Sequence, residues 1–106
     1  MHWIYLLVAG IFEIGFTTAL KLSDNFTKAA PTIGFLLLGA ISFYLLSLSM
    51  KDIPLGTAYA VWTGIGAFGT AVVGILFFGD PVFFWRVFFL LLLVASIVGL
   101  KLVSNA

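Results

Sequence analysis

The stretch LLVAGIFEIGFTTAL, Leu6–Leu20, is apolar apart from Thr17, Thr18 and one carboxylate, Glu13. A carboxyl group in such surroundings has two ways to shed its cost. It can take up a proton and become neutral, or it can face a polar cavity and hold a cation. The residues three and four positions away on the same helical face are Ala9, Gly10, Phe16 and Thr17. Small residues, a ring and a hydroxyl suit a cavity better than lipid. The plainer reading is a protonated structural glutamate, hydrogen-bonded between helices.

A second cluster lies in GTAYAVWTGIGAFG, Gly56–Gly69. Tyr59, Trp62, Thr63 and Gly66 share one face by the same spacing. Trp62 falls about 7–8 Å inside the helix that starts near Thr57, deep for an interfacial belt residue. Aromatic faces attract cations, most strongly where water is excluded, so these rings fit a site built around a buried carboxylate. Gly64, Gly66, Gly69 and Gly74 allow close helix approach or a bend. Ser42 lies in the middle of another apolar run, where its hydroxyl could reach Glu13 or bond back to its own helix. Ala95 and Gly99 form a small-xxx-small pair beside Ser96, a pattern for helix–helix contact. Arg86 and Lys101 are expected to snorkel to the headgroups, and His2 to be inert.

The elements that position these residues follow from the composition. The chain has 106 residues, 63% hydrophobic and 8% charged, with a mean hydropathy of +1.27. Soluble domains carry about 25% charged residues, so this is an integral membrane protein. The remaining charges separate four apolar runs, each near the roughly 20 residues that span a bilayer. Helices are predicted at about 3–20, 31–50, 57–78 and 83–102, within a single domain covering 1–106. Pro31 falls in a first turn, where no amide donor is needed, and Gly79 to Pro81 reads as a turn. No alternation of period two supports a membrane barrel, so the fold class is all-α. Glu13 lies ten residues past Trp3, hence about 15 Å into a core about 30 Å thick. An ionised group at that depth costs about 2.5–3.5 kcal/mol on insertion scales. The opening MHWIYLL lacks a cationic leader region, so the first helix is expected to be retained as a span.

With a net charge of +1 there is no basic surface for nucleic acid. One histidine and no cysteine leave no metal-ligand cluster, and there is no phosphate-binding glycine loop. Neither enzyme chemistry nor a cofactor is expected. Lys51, Lys101 and the terminal amine would lie on one side of the membrane, and Lys21, Lys28 and Arg86 on the other. Positive charge sets membrane orientation, and here it is balanced. Either the balance is chance, or copies insert both ways and pair antiparallel, supplying between two chains the inverted repeat that many transporters carry in one.

The whole chain resembles the small multidrug resistance transporters. The features that carry the likeness are four short helices, Glu13 in the first, P-x-G-T-A-Y-A-V-W-T-G-I-G-A-x-G from Pro54 to Gly69, and G-L-K at Gly99 to Lys101. The segment Trp62 to Ala67 is similar to the guanidinium-exporter branch of that family. Phe16 stands where that branch usually has tryptophan, and Thr17 and Thr18 resemble the multidrug branch. Phenylalanine keeps a ring but lacks the indole N–H donor, which implies a less exacting pocket.

The resemblance implies an antiparallel, dual-topology homodimer in the inner (plasma) membrane, exchanging protons for small organic cations of guanidinium or quaternary ammonium type. Glu13 of both copies would hold proton or substrate. Tyr59 and Trp62 would line the site, and Ser42 would bond to Glu13. Phe16, Gly10, Thr17 and Thr63 share faces with these residues. The fourth helix, with Ala95, Ser96 and Gly99, would supply much of the dimer contact. The alternatives are a lipid-headgroup flippase of similar architecture, one subunit of an obligate heterodimer, and a proton-ring subunit. The aromatic residues argue against the last.

Overall fold

The computed structural model describes residues 2–103. They form four helices and, among the described residues, no strand: α1 (His2–Leu22), α2 (Ala29–Ser49), α3 (Leu55–Phe77) and α4 (Phe84–Val103). Each is long and apolar enough to cross a membrane, at 21, 21, 23 and 20 residues. At 1.5 Å per residue these are spans of about 30–35 Å. The architecture is the all-α, four-span one expected from the apolar runs.

The helix ends differ from expectation by one or two residues, each for a local reason. Lys28 is extended (φ −106°, ψ 122°), so α2 starts at Ala29 and Pro31 still lies in its first turn, where its missing N–H costs nothing. Pro54, at φ −54° and ψ 145°, precedes α3, which draws Gly56 out of the expected turn and into the helix. At the other end of α3, Gly79 takes φ +70°, and the amides of Phe78 and Asp80 both donate to the Gly74 carbonyl at 3.0 Å. The turn there is the one its Gly-Asp-Pro sequence predicts. Between α1 and α2, Asp24, Asn25 and Phe26 all have positive φ (48°, 58° and 67°). Buried Ser23 ties this turn together: its hydroxyl donates to Leu20 O at 2.7 Å and accepts from the Phe26 amide at 3.2 Å.

α1 is the central element, packed chiefly on α2 and then on α3, while α4 packs on α3. The core, Leu6, Ala9, Leu46, Ile53, Ala58, Val61 and Trp62, sits in the half of the slab nearest the start of α1. The extents, 43 × 35 × 17 Å, describe a flat array rather than a closed bundle. No residue of α4 is buried.

The polar ends depart from the sequence expectation. His2 is not inert: its Nδ1 lies 2.7 Å from Asp52 Oδ2, joining the start of α1 to the α2–α3 loop. The Lys101 ammonium lies over the Trp3 ring, 5.0 Å from its centroid. Arg86 turns toward Asp80, with Nη2 3.6 Å from Oδ2. Each of these side chains thus has a partner within the protein: a carboxylate for His2 and Arg86, and a ring face for Lys101.

Candidate functional site

Glu13 projects from the middle of α1 toward α3, where Gly66 leaves room for it. A Cβ at position 66 would fall within the Glu13 carboxyl group. The neighbouring contacts use the same device. Gly69 faces Ile14, and Gly10 faces Ile65, whose Cβ would lie 2.8 Å from an added one. Gly10, expected to line a cavity, is thus buried in the α1–α3 contact. These glycines bring the two helices close enough to lay the carboxyl group against the α3 backbone.

Glu13 Oε1 is buried and takes no hydrogen bond from any described residue. The ion pairs of the described residues, His2–Asp52 and Arg86–Asp80, lie at the helix ends and do not involve it. An unsatisfied buried carboxylate is costly.

Beside it stands a wall of rings. Trp62 is 5.8 Å from Tyr59, 5.2 Å from Phe43 and 6.5 Å from Phe16, measured between centroids. Phe16 in turn stacks on Phe43 at 6.1 Å and meets Phe35 edge-on at 5.8 Å. Trp62 is buried, whereas Tyr59 and Thr63 are exposed on the outer edge of the same helical face. The sequence reading missed Phe43. Within an apolar helix a phenylalanine carries no signal, and only the packing of α2 on α1 places it in the wall.

The Ser42–Glu13 bond implied by the family resemblance is not formed. Ser42 is fully buried; its hydroxyl donates to Ala9 O at 2.7 Å and accepts from Trp62 Nε1 at 3.0 Å. A serine has one proton to give, and here it goes to the α1 carbonyl one turn before Glu13. Ser42 therefore holds Trp62 in place from behind. It also does not bond back to its own helix, because the α1 backbone is close enough to compete.

Thr17 donates to Glu13 O and Ile14 O, both at 3.0 Å, and its oxygen lies 2.7 Å from Thr70 Oγ1 on α3. Thr70 gave no sequence signal of its own. On α4, Leu93 and Ile97 pack on Gly64, while Ala95 and Ser96 are exposed and Gly99 has no atom within 4 Å of an added Cβ. Ser96 donates to Leu92 O at 3.0 Å. The three small residues thus lie off the α3 contact.

Four helices of membrane-spanning length, with one carboxyl group midway along the first, define a small multi-pass membrane protein. Comparison with known proteins gives its family. The model described as Small Multidrug Resistance protein matches residues 1–93, and the chain belongs to that family, whose members are inner-membrane transporters rather than enzymes. It is similar to the "Guanidinium exporter" of Yersinia pseudotuberculosis, at 47% identity over 104 residues, covering 98% of this chain and 100% of that one. The "Guanidinium exporter" of Salmonella typhimurium is 47% identical over 105 residues, covering 99% and 100%. The "Probable guanidinium efflux system subunit GdnD" of Bacillus licheniformis is 51% identical over 106 residues, covering 98% and 100%.

Proposed function

We propose that the protein exports small organic cations of guanidinium type in exchange for protons, working as an antiparallel pair of copies around Glu13. The observation that carries this reading is the Glu13 carboxyl group, with one oxygen buried and unpaired against Gly66 and aromatic rings alongside. A planar guanidinium can donate two parallel hydrogen bonds to a carboxylate, and its face can lie on Trp62 or Tyr59. The names of the relatives support the same cation class. Phe16, which has no donor to spend on a fixed network, extends the range to quaternary ammonium ions. These have no N–H and need only charge and aromatic surface.

Proton and cation compete for one carboxylate, so neither shares it with the other. Inward movement of protons then drives outward movement of cations, if the unoccupied site does not cross. Alternating access exposes the same midplane site to each side in turn. One copy is a flat four-helix array, and the uncovered α4 face with Ala95, Ser96 and Gly99 supports pairing with a second copy.

The test is exchange in proteoliposomes, with guanidinium compared against tetrapropylammonium. Glu13→Gln keeps the shape but cannot release a proton, and should abolish coupled exchange in a protein that still folds. Guanidinium affinity of the unmodified protein should fall by up to about tenfold per pH unit on acidification, one proton displacing one cation. Affinity that does not change with pH would refute the competition.

A second reading, one subunit of a heterodimeric exporter, is favoured by the word "subunit" in the name of the Bacillus licheniformis relative. Expression of this chain alone decides it: a self-sufficient homodimer transports without a partner chain.

A further inference from the structure

A polar seam runs along the contact between α1 and α3, from Glu13 to one membrane face. One turn beyond Glu13 and Gly66, Thr17 and Thr70 meet across it at 2.7 Å. Beyond them opens a cavity of about 180 Å³ lined by Thr17, Thr18, Lys21, Thr70, Gly74 and Asp80, with Val73 and Phe78 as its apolar wall. Glu13 and Lys21 are eight residues apart, so the seam covers about 12 Å along the helix axis. We propose that this seam is a hydrated passage by which protons travel between the Lys21–Asp80 face and Glu13, with the Thr17–Thr70 hydroxyl pair as its inner closure. The inference rests on Glu13 being the proton site.

The lining decides the occupant. Lys21 and Asp80 face the cavity, and Arg86 lies 3.6 Å from the Asp80 carboxylate. Asp24 lines the adjoining space beside Thr17 and Lys21, so two cations and two anions balance at the mouth and leave no net charge to hold an organic cation there. Water is a better fit, because each molecule needs two to four polar partners and about 30 Å³. Three hydroxyls, an ammonium and a carboxylate supply the partners, and the volume holds several molecules. Gly74 shapes the mouth: an added Cβ there would collide with Asp80 Oδ2, so its absence lets the carboxylate fold over the end of α3.

The hydroxyl pair has a defined sense. Thr17 directs its proton to the α1 carbonyls of Glu13 and Ile14. With the Thr17 proton on those carbonyls, the 2.7 Å contact is satisfied by Thr70 donating to Thr17, which leaves a Thr70 lone pair to accept from water on the cavity side. Parting of this pair joins the cavity to the carboxyl group. A hydronium ion reaching Glu13 leaves its proton on the carboxylate and departs as water, and release reverses the step. The threonines end each passage with the protons they began with.

The chain has no cysteine, so single cysteines report hydration directly. Thr70→Cys and Val73→Cys should react with a small water-soluble methanethiosulfonate much faster than Leu76→Cys on the exposed side of α3. In proteoliposomes, Thr70→Val puts a methyl group where the hydroxyl would bind water in the passage, and should slow guanidinium-driven proton movement by about tenfold, the cost of one lost water–hydroxyl bond. Guanidinium affinity should change little, and Thr70→Ser should restore the rate. Labelling at Thr70→Cys no faster than at Leu76→Cys, or an unchanged proton rate in Thr70→Val, overturns the proposal. Persistent exchange in Glu13→Gln overturns the reading of Glu13 itself, and the seam then loses its endpoint. Labelling of the seam cysteines is read independently of Glu13, so the two failures are told apart.

Discussion

Replacing Gly66 with alanine should leave the protein folded and take away its substrate site. Two local terms oppose each other in stability. Alanine is better than glycine in a helix interior by about 1 kcal/mol. Overpacking a tight contact costs about 1–3 kcal/mol. The net change is therefore between none and a loss of about 2 kcal/mol, which a folded protein tolerates. The effect on the site is not balanced in this way. The new methyl group would occupy the position of the Glu13 carboxyl, so that group must rotate away from α3. Two parallel bonds to a planar cation depend on a fixed carboxylate. A misplacement of about 1 Å in such geometry can cost about a hundredfold. Guanidinium titration calorimetry in detergent should show affinity reduced by one to two orders of magnitude, about 1.4–2.7 kcal/mol. Thermal melting of the same sample should move by only a few degrees. Gly56→Ala is the control, because it makes the same change inside α3 with nothing within 4 Å. Gly66→Ala that binds guanidinium like wild type would refute the placement of Glu13 against α3.

Gly99→Leu adds a side chain where the protomer has no atom within 4 Å, so the isolated fold should not respond; chemical crosslinking in membranes should show loss of dimer if a second copy packs there. Ser42→Ala strips the indole N–H of Trp62 of its acceptor and removes the tie to Ala9 O. It should destabilise the protein by about 1–3 kcal/mol and lower affinity through a loosened ring, both read by melting and by tryptophan-fluorescence titration. An unchanged melting temperature would show that the Trp62–Ser42 bond contributes nothing.

The sequence alone determined the spans and singled out the residues proposed for the site. Four apolar runs of bilayer length admit little other than four helices, because every backbone polar group must find its partner within the segment. One carboxylate inside the first run stands out for the same energetic reason, and Trp62 stands out by its depth. The four glycines noted in the third run each receive a close neighbour: Leu93 and Ile97 at Gly64, Glu13 at Gly66, Ile14 at Gly69 and Asp80 at Gly74. Periodicity marks which face of a helix a residue occupies, but not what the opposite helix presents to it. Tertiary packing therefore decided that Ser42 bonds Ala9 O and Trp62 rather than Glu13, that Phe43 joins the aromatic wall, and that Thr70 meets Thr17. It also decided that His2 pairs with Asp52. The Ser42, Phe43 and Thr70 contacts each rest on the approach of two helices to within hydrogen-bonding or ring-contact distance. That approach is set by small residues on both surfaces at once, and no single stretch of sequence contains it.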